Sequence, residues 1–247
     1  IMELLICVDA LRRASVKSIT AVLPYFAYAR QDRKVTPRSP ISAKLFANLL
    51  VGSGVNRVLT MDLHANQIQG FFDIPVDNLF AAPTFVQHIK KNIKSNSFVC
   101  VAPDVGGVER ARAIGKRLSA DLAIIDKRRS GPGKSEVMNV IGNVKGKTCI
   151  IFDDLVDSGG TIVNAAQTLV NKGAKNVYAY TVHGVLTGDA IEKINRSKIK
   201  KFVISNSIMN NKKIVKCSKF QIISVGSLFA EAIKRISISK SVSRLFK

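Results

Sequence analysis

An apolar run that passes directly into an acidic, glycine-rich segment constrains this chain more than any other feature. Residues 149–152 have the length and composition of a buried strand of a parallel sheet. Three carboxylates follow, then the sequence Ser-Gly-Gly-Thr at 158–161, then a helical pattern of apolar residues that ends at Gly173. The order strand, loop and helix N-terminus predicts a binding site at the carboxyl end of the strand.

The residues of this loop match the two parts of a phosphorylated sugar. Glycines let backbone N–H groups approach a phosphate, and the N-terminus of a helix favours its negative charge. The carboxylates would repel that phosphate, so they are expected to face sugar hydroxyls or a Mg²⁺ ion. The alternative is an acidic turn with a glycine cap. The predicted sugar-phosphate site consists of Asp153, Asp154, Asp157, Ser158, Gly159, Gly160 and Thr161.

Strand and helix patterns alternate along nearly the whole chain. This alternation is typical of an α/β fold with parallel sheets flanked by helices. The pattern breaks near residues 81–84, and the length of 247 residues suits two α/β units. We therefore predict a first domain at 1–81, completed by 231–247, and a second domain at 82–230.

The net charge of +21 would ordinarily indicate a nucleic-acid partner. However, the Lys and Arg residues are spread widely, aromatic residues make up 6% of the chain, and there is no Trp. A surface that stacks on bases is therefore poorly supported. Solvated basic faces together with anionic substrates explain the charge better, so nucleic acid is not an expected partner.

The sequence also bears on where the protein works. No run approaches the ~18 apolar residues of a membrane span, and no signal-peptide pattern is present. The four cysteines are far apart and form no Cys-x-x-Cys pair. These features predict a cytoplasmic protein with reduced, buried thiols and no membrane partner.

Two further segments at predicted strand ends contain residues suited to phosphate chemistry. Residues 24–40 combine arginines, which recognise polyphosphates, with aromatics that could stack on a base, although a basic surface turn has the same composition. Asp62 and His64 follow the next predicted strand and could ligate a metal or contact a phosphate. A lone His is more often structural, so both interpretations of the second segment stay open.

Several long blocks resemble the signature segments of the ribose-phosphate diphosphokinase (phosphoribosyl pyrophosphate synthetase) family. Their order is specific to that family and they cover nearly the whole chain. The blocks are 25–34, 40–44, 61–77, 103–108, 126–129, the loop that begins at Asp153, and 241–246.

The resemblance implies a role for each matching residue. Arg30 and Gln31 would contact ATP. His64 and Asp104 would lie at Mg²⁺ sites, with Asp62 as a weaker candidate. Lys127 would be the catalytic lysine, with Arg129 beside it. The Asp153 loop would hold ribose 5-phosphate. Arg38, Ser241 and Ser243 would form part of a regulatory anion site between subunits.

The resemblance also implies the architecture and the reaction. Family members are usually homohexamers whose subunits contain two phosphoribosyltransferase-like domains. They carry a further N-terminal stretch that helps to hold adenine, so the first domain would be incomplete here. The reaction transfers the diphosphoryl group of ATP to the anomeric hydroxyl of ribose 5-phosphate and gives 5-phosphoribosyl 1-diphosphate and AMP for nucleotide biosynthesis. Positioned cations are its main requirement, and we expect Lys127 on a loop that closes over the substrates.

Two other functions stay open. A non-catalytic regulatory or associated subunit of the same family would keep the fold, but it would not need Lys127, Arg129 and His64. A phosphoribosyltransferase would share the sugar-phosphate loop, but it would not need the blocks around Arg30 and His64.

Overall fold

The computed structural model describes residues 1–95, 97–128, 137–209, 214 and 216–246, with the backbone alone at 127, 128, 137 and 246. The chain divides into two units, Ile1–Phe80 with Leu228–Lys247, and Ala81–Ser227. The predicted domain limits lie at 81/82 and 230/231. The assignment of the units to phosphoribosyltransferase-like domains stays a prediction.

The first unit contains one helix, α1 (Met2–Arg13), before a sheet of short parallel strands. The strands are β1 (Thr20–Leu23), β2 (Arg57–Met61) and β3 (Val76–Leu79), in the order β1-β2-β3, and α2 (Ser42–Ser53) connects β1 to β2. On α2 the buried residues Ala43, Phe46, Ala47 and Leu50 recur at the spacing of one helix face. Phe46 packs against Phe26, with ring centroids 4.9 Å apart. Short 3₁₀ helices occur at Asn66–Phe71 and Ser243–Phe246.

The second unit is built on a larger sheet in the order β10-β9-β8-β7-β4-β5-β6. All neighbouring strands are parallel except β5 and β6. The strands are β4 (Phe98–Ala102), β5 (Asp121–Arg128), β6 (Val137–Ile141), β7 (Thr148–Val156), β8 (Asn176–Gly184), β9 (Phe202–Ser205) and β10 (Phe220–Ile223).

Helices cover both faces of this sheet. They are α3 (Ala82–Asn92), α4 (Val108–Leu118), α5 (Gly160–Asn171) and α6 (Ala190–Arg196). A further helix, α7 (Gly226–Ser237), follows β10 and belongs to the first unit from Leu228 onward. On one face α5 packs Ile162 and Leu169 into a core shared with Val101 and Ile151. On the other face Phe85 of α3 contacts Tyr180 of β8, with ring centroids 5.3 Å apart. Burial on both faces explains why the central strands are almost continuously apolar.

The predicted α/β fold with parallel sheets flanked by helices is confirmed. Two details of the prediction are wrong. Lys127 does not lie on a loop, because β5 continues through Arg128 and pairs with β6 (Lys127 opposite Met138). The thiols of the described chain are all free, but only Cys100 and Cys149 are buried, whereas Cys7 is exposed.

Candidate functional site

The sheet of the second unit reverses its direction of growth between β4 and β7. From β4 the chain builds outward through β5 to β6, and it then returns to β7 on the other side of β4 and builds outward to β10. In an open parallel sheet, ligands bind at the carboxyl ends of two strands that diverge in this way. Asp104 follows β4, and the predicted sugar-phosphate loop follows β7. The fold therefore brings both segments to the position where a ligand is expected.

The end of β7 carries two adjacent carboxylates that share one cation. Arg110 Nη1 lies 3.2 Å from Asp154 Oδ1 and 4.0 Å from Asp153 Oδ1. The side chain of Asp154 is only 6% exposed, and those of Asp153 and Arg110 are 22% and 20% exposed. Arg110 belongs to α4, so this ion pair connects the helix after β4 to the strand on the other side of the crevice.

Arg110 was not predicted from the sequence. It stands in a helix that also contains Arg112, Lys116 and Arg117, and composition does not distinguish these cations. The signal that could have identified it is its position in the first turn after Gly107. A helix that follows a parallel strand begins at the carboxyl edge of the sheet, where the ligand is expected.

Burial raises the pKa of Asp153 well above its usual range, and the neighbouring Asp154 raises it further. Arg110 acts in the opposite direction, and Asp104 adds a smaller repulsion. Repulsion from the neighbouring carboxylates and burial together therefore outweigh the attraction that Arg110 exerts on Asp153. Such a cluster gains most from a ligand that donates hydrogen bonds or carries a cation.

The raised pKa of Asp153 predicts that Asp153→Asn stabilises the free protein. A carboxyl whose pKa is raised in the folded state binds its proton more tightly there than in the unfolded chain, so stability falls as pH rises. We expect the variant to gain roughly 1 kcal/mol in unfolding free energy at pH 7. The gain should shrink toward the unfolded pKa of about 4, where wild-type Asp153 is protonated as well.

Urea titrations of both proteins between pH 4 and 8 measure this difference. Asp121→Asn is the matched control, because Asp121 is 66% exposed at the other edge of the same sheet and pairs with Lys147 at 2.7 Å. We expect that control to change stability by less than about 0.5 kcal/mol. An Asp153→Asn protein that is less stable than wild type at pH 7 would contradict the electrostatic account.

The chain turns into α5 through Gly159, which has a positive φ of 76°. The first intrahelical hydrogen bond runs from Val163 N to the Gly159 carbonyl, at 3.1 Å. The N–H groups of the first helical residues have no acceptor within a helix and attract an anion. Ser158 and Thr161 are exposed at this terminus, and Gly159 is buried. The arrangement suits a phosphate, although binding of ribose 5-phosphate by 157–161 stays a prediction.

Asp157, at the start of this loop, accepts a hydrogen bond from a threonine that is distant in sequence. Thr187 Oγ1 donates to Asp157 Oδ1 at 2.6 Å, and Thr187 N donates to the Asp157 carbonyl at 3.1 Å. Thr187 follows β8, the neighbour of β7. No local sequence pattern marks it, because the contact spans 30 residues.

In the first unit, the predicted ATP and metal residues lie after adjacent strands. Arg30 and Gln31 follow β1, and Asp62 and His64 follow β2. Gln67 Nε2 donates to Asp32 Oδ2 at 2.8 Å and so joins the two loops. Arg30, Gln31 and His64 are exposed, whereas Asp62 is buried with a positive φ of 41°. Their roles in binding ATP and Mg²⁺ stay predictions.

The remaining predicted residues are placed as follows. The backbone of Lys127 lies in β5, beyond the end of its pairing with β4, and therefore at the same carboxyl edge as Asp104 and Asp153. Arg129 lies outside the described residues. Arg38, Ser241 and Ser243 are exposed residues of the first unit, and Arg235 Nη1 donates to the Ser241 carbonyl at 3.1 Å. Their regulatory role stays a prediction.

The carboxylate oxygens of the second unit suit a Mg²⁺ ion that also keeps water and substrate ligands. Within the described ranges, no three His, Cys, Asp or Glu side chains are grouped closely enough to form a metal cage. Mg²⁺ commonly binds through one or two carboxylates and completes its shell with water and substrate phosphates. Asp104 is exposed and offers a hard oxygen donor, while its Oδ1 accepts a hydrogen bond from Gly107 N at 2.9 Å. The site is thus suited to a metal that arrives with a phosphate ligand.

The helices in the described part of the chain are all too short or too polar to cross a membrane.

Comparison with known proteins gives the family. The model described as the N-terminal domain of ribose phosphate pyrophosphokinase matches residues 1–54, and the model described as the phosphoribosyl synthetase-associated domain matches residues 129–247. A ribose-phosphate pyrophosphokinase from Brucella melitensis is 57% identical over 246 residues, covering 100% of this chain and 79% of that protein. The chain belongs to the ribose-phosphate pyrophosphokinase family.

Other members of the ribose-phosphate pyrophosphokinase family are similarly close. One from Bradyrhizobium diazoefficiens is 58% identical, over 100% of this chain and 78% of that protein. Among solved structures, the phosphoribosylpyrophosphate synthetase from Mycobacterium smegmatis has a TM-score of 0.90 and 39% identity. The match covers 96% of this chain and 78% of that structure.

Proposed function

We propose that this protein is a ribose-phosphate diphosphokinase, which transfers the diphosphoryl group of ATP to the anomeric hydroxyl of ribose 5-phosphate. The hydroxyl oxygen forms a bond to the β-phosphorus, and the bond from that phosphorus to the α–β bridging oxygen breaks. The products are 5-phosphoribosyl 1-diphosphate, AMP and the released hydroxyl proton. We also propose that the reaction takes place in the cytoplasm, in a homo-oligomer that is a hexamer in the family.

The observation that carries this proposal is the pairing of two different chemistries at the switch point between β4 and β7. The N-terminus of α5 offers backbone donors to a phosphate, and Asp153 and Asp154 offer acceptors to sugar hydroxyls. A sugar phosphate satisfies both, whereas a free phosphate would leave the carboxylates facing a like charge. Membership of the ribose-phosphate pyrophosphokinase family supports ATP as the donor of the diphosphoryl group.

Each side chain then has a defined task. Arg110 holds Asp153 and Asp154 beside each other, so that both stay available as acceptors for ribose hydroxyls. Gly159 lets the chain approach the sugar 5-phosphate closely, and Thr161 adds a hydroxyl donor in the first turn of α5. Lys127, with Arg129 after it, would stabilise the negative charge on the diphosphoryl group during transfer. Arg30 and Gln31 would hold ATP.

Mg²⁺ fits the same scheme. Asp104 would hold the ion in the second unit, and His64, with Asp62 as a weaker candidate, would hold one in the first unit. When bound, Mg²⁺ neutralises the phosphates of ATP and makes the β-phosphorus easier to attack.

A direct assay tests the proposal. The protein is incubated with ATP, Mg²⁺ and ribose 5-phosphate, and phosphorus NMR follows the products. We expect AMP and 5-phosphoribosyl 1-diphosphate to form in equal amounts, and neither to form when ribose 5-phosphate is replaced by ribose. Formation of ADP instead of AMP would indicate transfer of a single phosphoryl group and would exclude this reaction.

The second candidate function is a non-catalytic regulatory or associated subunit of the same family. A non-catalytic subunit would bind ribose 5-phosphate or ATP without turnover and would change the rate of an active relative when mixed with it. The blocks around Arg30 and His64 argue against a phosphoribosyltransferase, which would consume 5-phosphoribosyl 1-diphosphate.

A further inference from the structure

The loop that holds the sugar phosphate in the proposed function is itself held by the segment that follows β8. Val185 N and Leu186 N both donate to the Val156 carbonyl, at 2.9 and 3.2 Å. Thr187 N then donates to the Asp157 carbonyl at 3.1 Å. Three successive amides of one segment thus bind the last residue of β7 and the first residue of the loop.

The helix that follows this segment, α6, also contacts the loop. Gly159 lies against the start of α6, where an added Cβ would be 3.5 Å from the Ala190 carbonyl oxygen and from the side chain of Ile194. The loop is therefore in contact with α6 at Gly159 and bonded to the β8–α6 connection at Asp157. Its position depends on this connection as well as on β7 and α5.

The backbone of the connection is strained. Leu186 has a positive φ of 53°, in the left-handed region that a branched residue seldom adopts, and Gly188 follows with a φ of 57°. Such a conformation persists only where surrounding contacts fix it, and it is concentrated at functional sites. The contacts that fix it here include the hydrogen bonds to residues 156 and 157 and the packing of the Leu186 side chain against the core.

The side chain of Thr187 makes a contact with the loop that substitution can remove while the backbone hydrogen bonds stay in place. Its hydroxyl donates to Asp157 Oδ1 at 2.6 Å, and Thr187 is itself exposed. A hydrogen bond to a carboxylate orients that carboxylate and neutralises part of its charge. An Asp157 carboxylate that loses this donor would carry more of its charge at the entrance of the loop and would repel the sugar phosphate more strongly.

We propose that Thr187 is a positioning residue for the sugar-phosphate loop: its hydroxyl fixes the Asp157 carboxylate so that 157–161 can accept the 5-phosphate. This inference rests on the proposed function, because it concerns the same site. Thr187 acts through Asp157 and the loop, and its effect falls on ribose 5-phosphate rather than on ATP.

Thr187→Val tests the proposal, since valine keeps the shape of threonine and lacks the hydroxyl. We expect the KM for ribose 5-phosphate to rise about fivefold, in line with the loss of one exposed hydrogen bond to a charged group. The KM for ATP should stay within about twofold of wild type. Thr187→Ser, which retains the donor, should restore the KM for ribose 5-phosphate to within about twofold.

Thr168→Val is the matched control. The Thr168 hydroxyl donates to the Asn164 carbonyl at 2.9 Å, within α5 and away from its first turn, so this variant loses a hydroxyl of the same kind without touching the loop. We expect its KM values to match wild type. Because Thr187 is exposed, melting temperatures of all variants should lie close to that of the wild-type protein.

Calorimetric titration of ribose 5-phosphate separates this inference from the proposed function. If the wild-type protein does not bind ribose 5-phosphate, the proposed function fails. If the wild-type protein binds it and Thr187→Val binds it equally well, only the role of Thr187 is overturned. A parallel loss of affinity in Thr187→Val and Thr187→Ser would also overturn it, because the hydroxyl would not be the cause.

Discussion

Replacing Lys127 by alanine should lower kcat at least ~10²-fold and leave the affinity for ribose 5-phosphate nearly unchanged. Negative charge spreads over the transferred diphosphoryl group in the transition state, and a cation placed there lowers the barrier more than it strengthens binding of the substrates. The backbone of Lys127 lies in β5 at the carboxyl edge of the sheet, and β5 is the neighbour of β4, which Asp104 follows. Steady-state assays of AMP formation with each substrate varied measure the effect.

The matched control is Lys147→Ala. Lys147 belongs to the same unit, but its Nζ pairs with Asp121 at 2.7 Å at the opposite edge of the sheet. An exposed pair of this kind contributes little to stability, so we expect kcat within about twofold of wild type. Lys127→Arg, which retains a cation with a different shape, should recover part of the lost rate. Near-normal turnover by the Lys127→Ala protein would remove Lys127 from the mechanism.

The features that could be predicted from the sequence are those that depend on residues close together along the chain. The central strands are recognisable because both faces are buried, as in β7, where residues 148–152 are all buried. Each ends in residues that are polar or turn-forming, and parallel strands place their carboxyl ends at one edge. Local patterns therefore predict the acidic loop after Phe152 as a binding site, whereas the role of Asp104 is predicted only through the resemblance to the diphosphokinase family.

The features that were missed depend on contacts between distant segments. β3 contains the polar residues Asp77 and Asn78, and it forms a strand because its backbone pairs with β2. Arg57 binds Asp77 at 2.6 Å, and the Asn78 side chain accepts a hydrogen bond from Leu63 N at 3.2 Å. Lys127 lies in a strand because β6 pairs with the end of β5, and the sequence alone does not specify that antiparallel pairing. Arg110 was overlooked for the same reason, since its partners are more than 40 residues away along the chain.

The second large effect is expected for Arg110→Met, which keeps the length of the side chain and removes its charge. Asp153 and Asp154 would then face each other without the guanidinium of Arg110 in a largely buried position. We expect the unfolding free energy to fall by about 2–3 kcal/mol at pH 7, at the lower end for a broken buried pair because Arg110 is 20% exposed. Activity should fall at least ~10-fold, because the carboxylates would lose the orientation needed to accept ribose hydroxyls.

The pH dependence of this loss distinguishes electrostatics from packing. Without Arg110, the pKa of Asp153 is raised further, so the folded variant binds a proton more tightly than folded wild type. Its stability relative to wild type should therefore fall as pH rises from about 5 to 8, and the penalty should be smallest at acidic pH. A penalty that stays constant over that range would indicate lost side-chain packing instead.

A double variant completes the argument. Arg112→Met, on the exposed side of the same helix, is the control and should change stability by less than about 0.5 kcal/mol. Arg110→Met combined with Asp154→Asn removes the cation together with the buried charge that it neutralises, so it should recover most of the lost stability. It should not recover activity, because one of the two acceptors for the ribose hydroxyls is then altered. Recovery of stability without activity would show that the fold does not require this ion pair. The charged residues would then serve to bind the sugar, although the repulsion between the carboxylates lowers the stability of the protein.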